Sequence, residues 1–213
     1  LSVTEDNAAA LAGPVELKKT DKDQVGKNGV GMAPYMISVA LFVAAISTNV
    51  IFGTLPSGQV PASRKAWLKA RLEVNGLISV LAGILVYGAV HLIGLKANYE
   101  WTTLALTVLA SMAFMAVVTT LVTWDSKVGA FISLILLLLQ LASSAGTYPL
   151  PLTAEIFQKL NPILPMSYAV SGLRETISMN GQIGGQLAFL TATLLLFMVL
   201  GTMAYRPDKK KII

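Results

Sequence analysis

The sequence predicts an all-α integral membrane protein, and three observations predict it. The 213 residues are 54% hydrophobic and only 13% charged, a balance far from that of soluble domains. Five apolar runs are each long enough to cross a hydrocarbon core, which takes roughly 20 residues of helix. None of the five holds Asp, Glu, Lys or Arg in its interior. Backbone groups in lipid must be satisfied within a helix or by a closed barrel, and unbroken apolar runs specify helices, since barrel strands alternate.

The spans are expected at about 32–55, 74–95, 101–123, 128–148 and 186–205. Tyr35, Tyr99, Trp101, Trp124, Tyr148 and Tyr205 fall near their ends, where aromatic side chains anchor at the interface. Residues 31–213 then form one membrane domain. Residues 1–30, with the mixed charges of "LKKTDKDQVGKNG", read as the end of an extracellular domain or a linker. The chain starts at Leu1, and its first thirty residues hold neither a signal peptide nor an anchor, which leads to the expectation of a longer protein with a span or signal upstream.

Basic residues give the orientation. Arg64, Lys65, Lys69 and Arg71 lie between the first two spans, Lys127 between the third and fourth, and Arg206, Lys209, Lys210 and Lys211 in the tail. These fall on one side of a five-span chain, predicted to be cytoplasmic, with the N-terminal segment outside. A net charge of +5 is thereby read as a topology signal rather than as nucleic-acid binding.

Two elements do not span. After Pro56, Gly58 and Pro61, Ser63 can cap a short inner helix that carries Arg64, Lys65, Lys69 and Arg71 around Trp67, Leu68 and Leu72. It reads as a basic amphipathic helix resting on membrane lipids, or as a docking helix for a cytoplasmic partner. On the outer side Thr153 can cap a helix of about two turns, stopped by Asn161 and Pro162. Pro165 can open a second one. Along it Met166, Val170, Leu173 and Ile177 share an apolar face, and Ser167, Ser171, Arg174 and Ser178 an adjoining polar one. Asn180 and Gly181 can end it. Both helices are too short to cross, so a re-entrant or interfacial position is expected, with Arg174 turned to water, headgroups or a crevice of the bundle.

Polar residues at depth are few: Asn49, His91 and Gln140, with Ser143 and Ser144 near an outer end. Such residues serve either as interhelical hydrogen-bonding groups or as functional sites. His91 has no evident carboxylate or second histidine as partner in the sequence, and a metal site needs more ligands. Without intramembrane carboxylates, ion-coupled and proton-coupled carriers are not expected. With no cysteine, thiol chemistry is excluded. No HExxH, GxSxG or phosphate-binding loop occurs, and the Gly181, Gly184 and Gly185 cluster lacks the strand and lysine of a nucleotide loop. The expectation is a protein that is not an enzyme and carries no cofactor.

The runs "GMAPYMISVALFVAAISTNVIFG" and "SSAGTYPLPLTAEIFQKLNPILPMSYAVSGLRETIS", with the basic tail, resemble the C-terminal membrane region of the YhgE/Pip family, the phage infection proteins. Type VII secretion accessory proteins of the EsaA kind share this architecture, and both groups resemble the membrane domains of ABC-2 type transporters. The resemblance implies a homodimer of six-span protomers in the cell membrane of Gram-positive bacteria, with one span and a large external domain upstream of these five. It implies that residues 63–73 face an ATP-binding partner and that Asn161, Pro162 and Arg174 form a recurring "NP...R" pattern. It further implies a surface protein exploited by phages through its external domain, involved in export or serving a secretion system.

Overall fold

The computed structural model describes residues 28–53, 61–146 and 149–207. The expectations for residues 1–27, the break at Pro56 and Gly58, the Tyr148 anchor and Lys209, Lys210 and Lys211 lie outside the described residues. Those described form an all-helical bundle: α1 (Asn28–Phe52), α2 (Arg64–Arg71), a π-helical turn (Leu72–Gly76), α3 (Leu77–Leu92), α4 (Glu100–Trp124), α5 (Ser126–Ser143), α6 (Glu155–Leu160), α7 (Pro165–Ser178) and α8 (Gly184–Ala204). Five helices are long and apolar enough to cross a membrane, the second being the continuous stretch Arg64–Leu92.

The spans differ in how they use their apolar surface. The apolar stretch of α4 is 67% buried, against 17% for α8, so α4 is the axis on which α1, α3, α5, α7 and α8 pack. Its sequence suits that place. Thr103, Thr107, Thr120 and Thr123 each return their hydroxyl to the carbonyl four residues back, at 2.6–2.8 Å, which lets them be enclosed without an orphaned donor. Small residues shorten the helix separation. A Cβ on Gly83 would lie 2.7 Å from Val108 Cα, so α3 crosses α4 backbone to backbone at that point.

The turn between α4 and α5 is short because Asp125 serves both helices. Its backbone N–H donates to Leu121 O at 3.3 Å, and its carboxylate accepts from the N–H groups of Lys127 and Val128 at 3.0 and 2.9 Å, capping α5.

Three expectations are corrected and a fourth is narrowed. The inner amphipathic helix is not separate from the second span, since the π-turn carries α2 into α3 without a break. The fourth span ends at Ser143, before the expected 148, with Ala145 at φ 54. Thr153 caps nothing: its hydroxyl donates to Leu150 O at 2.7 Å, and Ala154 occupies the cap position of α6. The second outer helix is not laid on the surface of the bundle, so of the two positions expected for it, re-entrant or interfacial, the one that dips into the bundle fits. Met166, Val170, Leu173 and Ile177 are at most 1% exposed, and Ala169, Gly172 and Thr176 are buried beside them, so α7 is enclosed by α1, α4 and α8. Small residues extend its buried face, which a count of large apolar side chains misses. Pro165 does open α7 and Ser63 does cap α2, accepting from Ala66 N at 3.2 Å.

The Gly83 crossing gives a direct test. Gly83→Leu should cost about 1–3 kcal/mol through overpacking, read as a lower melting temperature in detergent. Gly88→Ala, where a Cβ meets nothing within 4 Å, should leave it unchanged or higher.

Candidate functional site

The chemistry-bearing side chains gather at the two ends of the bundle. One end collects the junction of α2 and α3 and the ends of α1, α4 and α8, and is here termed the basic end. There Arg71 is only 4% exposed, although it sits in a helix whose other cations face outward. Its Nη2 donates to Gly53 O at 2.7 Å and its Nη1 to Asn75 Oδ1 at 3.4 Å. Asn75 Nδ2 donates in turn to Thr119 Oγ1 at 2.9 Å and Asn49 Oδ1 at 3.3 Å. Asn49 Nδ2 donates to Ala45 O at 2.9 Å and approaches Met115 Sδ at 3.4 Å. The chain of bonds ties α1, α2, the π-turn and α4 together. No carboxylate of the described residues lies within ion-pair distance of Arg71, and its Nε is buried without a partner among them. Among the described residues the cation is held by backbone and amide dipoles and the Trp67 ring, an arrangement that tolerates little loss.

The same elbow is clasped to the end of α8. The Trp67 and Tyr205 rings stack with centroids 5.5 Å apart and 17° between planes, Tyr205 OH donates to Pro61 O at 2.7 Å, and Arg64 Nε donates to Tyr205 O at 3.4 Å. Tyr205 is therefore buried in a joint at the end of the last span, and burial pushes its phenol above the usual value, keeping the donor proton in place. The Arg71 guanidinium lies 5.9 Å from the Trp67 ring centroid, within cation–π reach. Lys65 and Lys69 remain exposed, with Lys69 3.7 Å from Glu73. Arg64, Lys65 and Lys69 thus form the presented basic surface, while Trp67 and Arg71 belong to the interior.

At the opposite end the problem is two helix termini that stop inside the bundle, each with unpaired backbone groups. Gln140 Oε1 accepts from Met166 N at 3.0 Å, capping the start of α7 from α5. Asn161 Nδ2 donates to Ser143 O at 2.6 Å and Ser167 Oγ at 3.1 Å, and Arg174 Nη2 donates to Ala145 O at 3.3 Å. The end of α5 and the start of α7 are satisfied by side chains of α5, α7 and the turn between α6 and α7. Pro162 is the second residue of the short turn after α6 (Asn161–Ile163), and its carbonyl accepts from Tyr168 OH at 2.9 Å. The loop before α4 joins this end, with Asn98 N and Tyr99 N donating to Ile177 O and Thr176 O at 3.1 and 3.0 Å.

His91 is also corrected. Its Nδ1 lies 3.8 Å from Glu100 Oε1, both half-exposed, a pairing across the α3–α4 loop that helical spacing does not reveal. No group of three or more His, Cys, Asp or Glu that could hold a metal occurs among the described residues. Asn75, Thr119 and Tyr205 were not expected at the site. The spacing of Trp67, Arg71 and Asn75, four residues apart each time, carries the signal for Asn75: an arginine in register with a buried indole and a polar residue inside the span.

An all-helical, multi-pass membrane domain with its polar side chains turned to internal joints is the class these features define. The chain is 32% identical over 198 residues, 92% of its length, to Uncharacterized protein YhgE of Bacillus subtilis (strain 168), and it belongs to the YhgE/Pip family. It spans about a quarter of that relative's length. No protein-family model matches the chain, and no solved structure matches it.

Asn75 and Gln140 test the two joints. Asn75→Ala removes the hub beneath a buried cation and should cost about 1–3 kcal/mol. Gln140→Leu leaves the Met166 N–H buried without an acceptor and should cost a similar amount, and Gln140→Glu should retain most of the stability because an acceptor remains. Thermal unfolding in one detergent measures all three.

Proposed function

We propose that the chain is the membrane domain of a bacterial surface protein of ABC-2 transporter-like build. It functions as a homodimer, exports an amphiphile or polymer, and serves phages as a receptor through an external domain. The basic end is cytoplasmic, by the positive-inside rule, and the segment before α1 is extracellular. The observation that carries the reading is the elbow. Arg64, Lys65 and Lys69 are displayed on a helix fixed to α8 by the Trp67–Tyr205 stack and to α1 and α4 through Arg71 and Asn75. A partner that pushes on this helix moves its own span and three others together. A separate ATP-binding subunit, or components of a secretion system, is such a partner, and the protein itself performs no covalent chemistry and carries no cofactor.

The second reading is a membrane anchor and dimerisation platform for a type VII secretion accessory protein. It is favoured by the match to only a quarter of YhgE, since the remainder of such a protein is what an anchor would hold.

The elbow separates the two. With Lys65 and Lys69 replaced by Gln and Arg64 and Arg71 kept, the transporter-like reading predicts loss of a co-purifying ATPase at unchanged melting temperature. An ATPase that stays bound would overturn docking there. The anchor reading predicts instead that the external domain on an unrelated membrane anchor restores phage sensitivity or secretion.

A further inference from the structure

The π-turn Leu72–Gly76 holds one residue more than an α-helical turn would, because its bonds close at five residues rather than four. That extra residue decides which face of α2 points inward. Ser79 is buried in α3, and at about 100° per residue an unbroken α-helix running back from it would place Leu72 and Leu68 within about 20° of the same line. Arg71 would stand about 80° from that line and Trp67 about 120°. The structure has the opposite assignment, with Trp67 and Arg71 3% and 4% exposed and Leu72 46% exposed. The sequence therefore carries two inward pairs one residue apart, Trp67 with Arg71 and Leu68 with Leu72, and the π-turn selects the first.

We infer that α2 is a two-register switch. Moving the extra residue from the π-turn to the start of α2 makes residues 72–76 α-helical, turns α2 by about 100° around its axis and exchanges the pairs. Leu68 and Leu72 then take the places of Trp67 and Arg71, and Arg71 joins Arg64, Lys65 and Lys69 beside an apolar stripe. The second register buries two apolar side chains where the first encloses a guanidinium. It also turns outward Trp67 Nε1 and Arg71 Nε, which the first leaves buried without a partner among the described residues, a state that costs stability. The crevice of about 60 Å³ beside the elbow is lined by Trp67, Leu68, Arg71, Leu72 and Gly76 together, so free space lies among the side chains that exchange. Opposing the change, the bonds of Arg71 to Gly53 and Asn75 and the Trp67–Tyr205 stack latch the free chain in the first register. A negatively charged partner surface gains a further cation when Arg71 turns out, and so favours the second. That trigger rests on the docking reading above; the two registers do not, and they can be read without a partner.

Spin labels at Lys69→Cys and Lys127→Cys, both exposed positions, report the turn of α2 against α5 in nanodiscs. With the latch intact, one distance is expected. Asn75→Ala withdraws the amide that holds Arg71 and should add a second, resolved distance. Two variants block the second register and leave the first in place. Deleting Glu73 removes the extra residue, so that an α-helical elbow keeps Trp67 and Arg71 inward. Leu72→Lys carries a charge into the interior in the second register only, and it carries the test where the deletion fails to fold. Each block, combined with Asn75→Ala, should remove the second distance and restore the first alone. A second distance that survives either block overturns the proposal, since it reports general loosening rather than a change of register. A single unchanged distance in Asn75→Ala overturns it as well.

Discussion

A guanidinium enclosed at the end of a membrane span has to be solvated by the protein, and the basic end of this bundle is built around that requirement. Arg71 reaches the last carbonyl of α1 described before the loop, Gly53 O, and the amide of Asn75. Asn75 cannot hold its own position without Thr119 on α4 and Asn49 on α1. The partners come from α1 and its end, the π-turn and α4, so the charge is stable only when those elements are docked. The π-turn fits this role. Extra-wide turns inside α-helices shift side-chain register and recur at functional positions, and here one separates Arg71 from α3 while Asn75 sits within it.

The opposite end obeys the same rule with weaker groups. A helix that ends inside an apolar bundle leaves carbonyls or N–H groups that water cannot reach. Gln140, Asn161 and Arg174 supply those partners across the α5–α7 junction. The "NP...R" pattern of this chain therefore has a physical reading as helix capping at a break, with Asn161 and Pro162 opening the turn after α6 and Pro165 starting α7. Both ends are fixed by side chains on different elements, which leaves the basic elbow and the α6–α7 segment at the opposite end as parts of one bundle.

The spans were legible because length and apolarity alone decide whether a helix can cross, and the apolar face of α7 was legible because its period is helical. The rest turned on partners that sequence spacing does not encode. Gln140 and Met166 are 26 residues apart and meet only after α5 and α7 pack. Arg71 resembles Arg64, Lys65 and Lys69 in composition, and only its four-residue spacing from Trp67 sets it apart. The burial of Ala169, Gly172 and Thr176 was illegible for a different reason, since small residues are enclosed wherever helices approach closely and carry no hydropathy signal of their own.

The bonds from Arg71 and Asn75 to the end of α1 and to Asn49 should hold the elbow rigid with respect to α1. The chain has no cysteine, so spin labels can be placed at will, and Lys65→Cys with Val50→Cys puts one on the elbow and one on the exposed end of α1. Pulsed electron paramagnetic resonance in nanodiscs should give one narrow distance distribution, which Asn75→Ala broadens. A distribution already broad with Asn75 in place, or one that Asn75→Ala leaves narrow, would contradict the account.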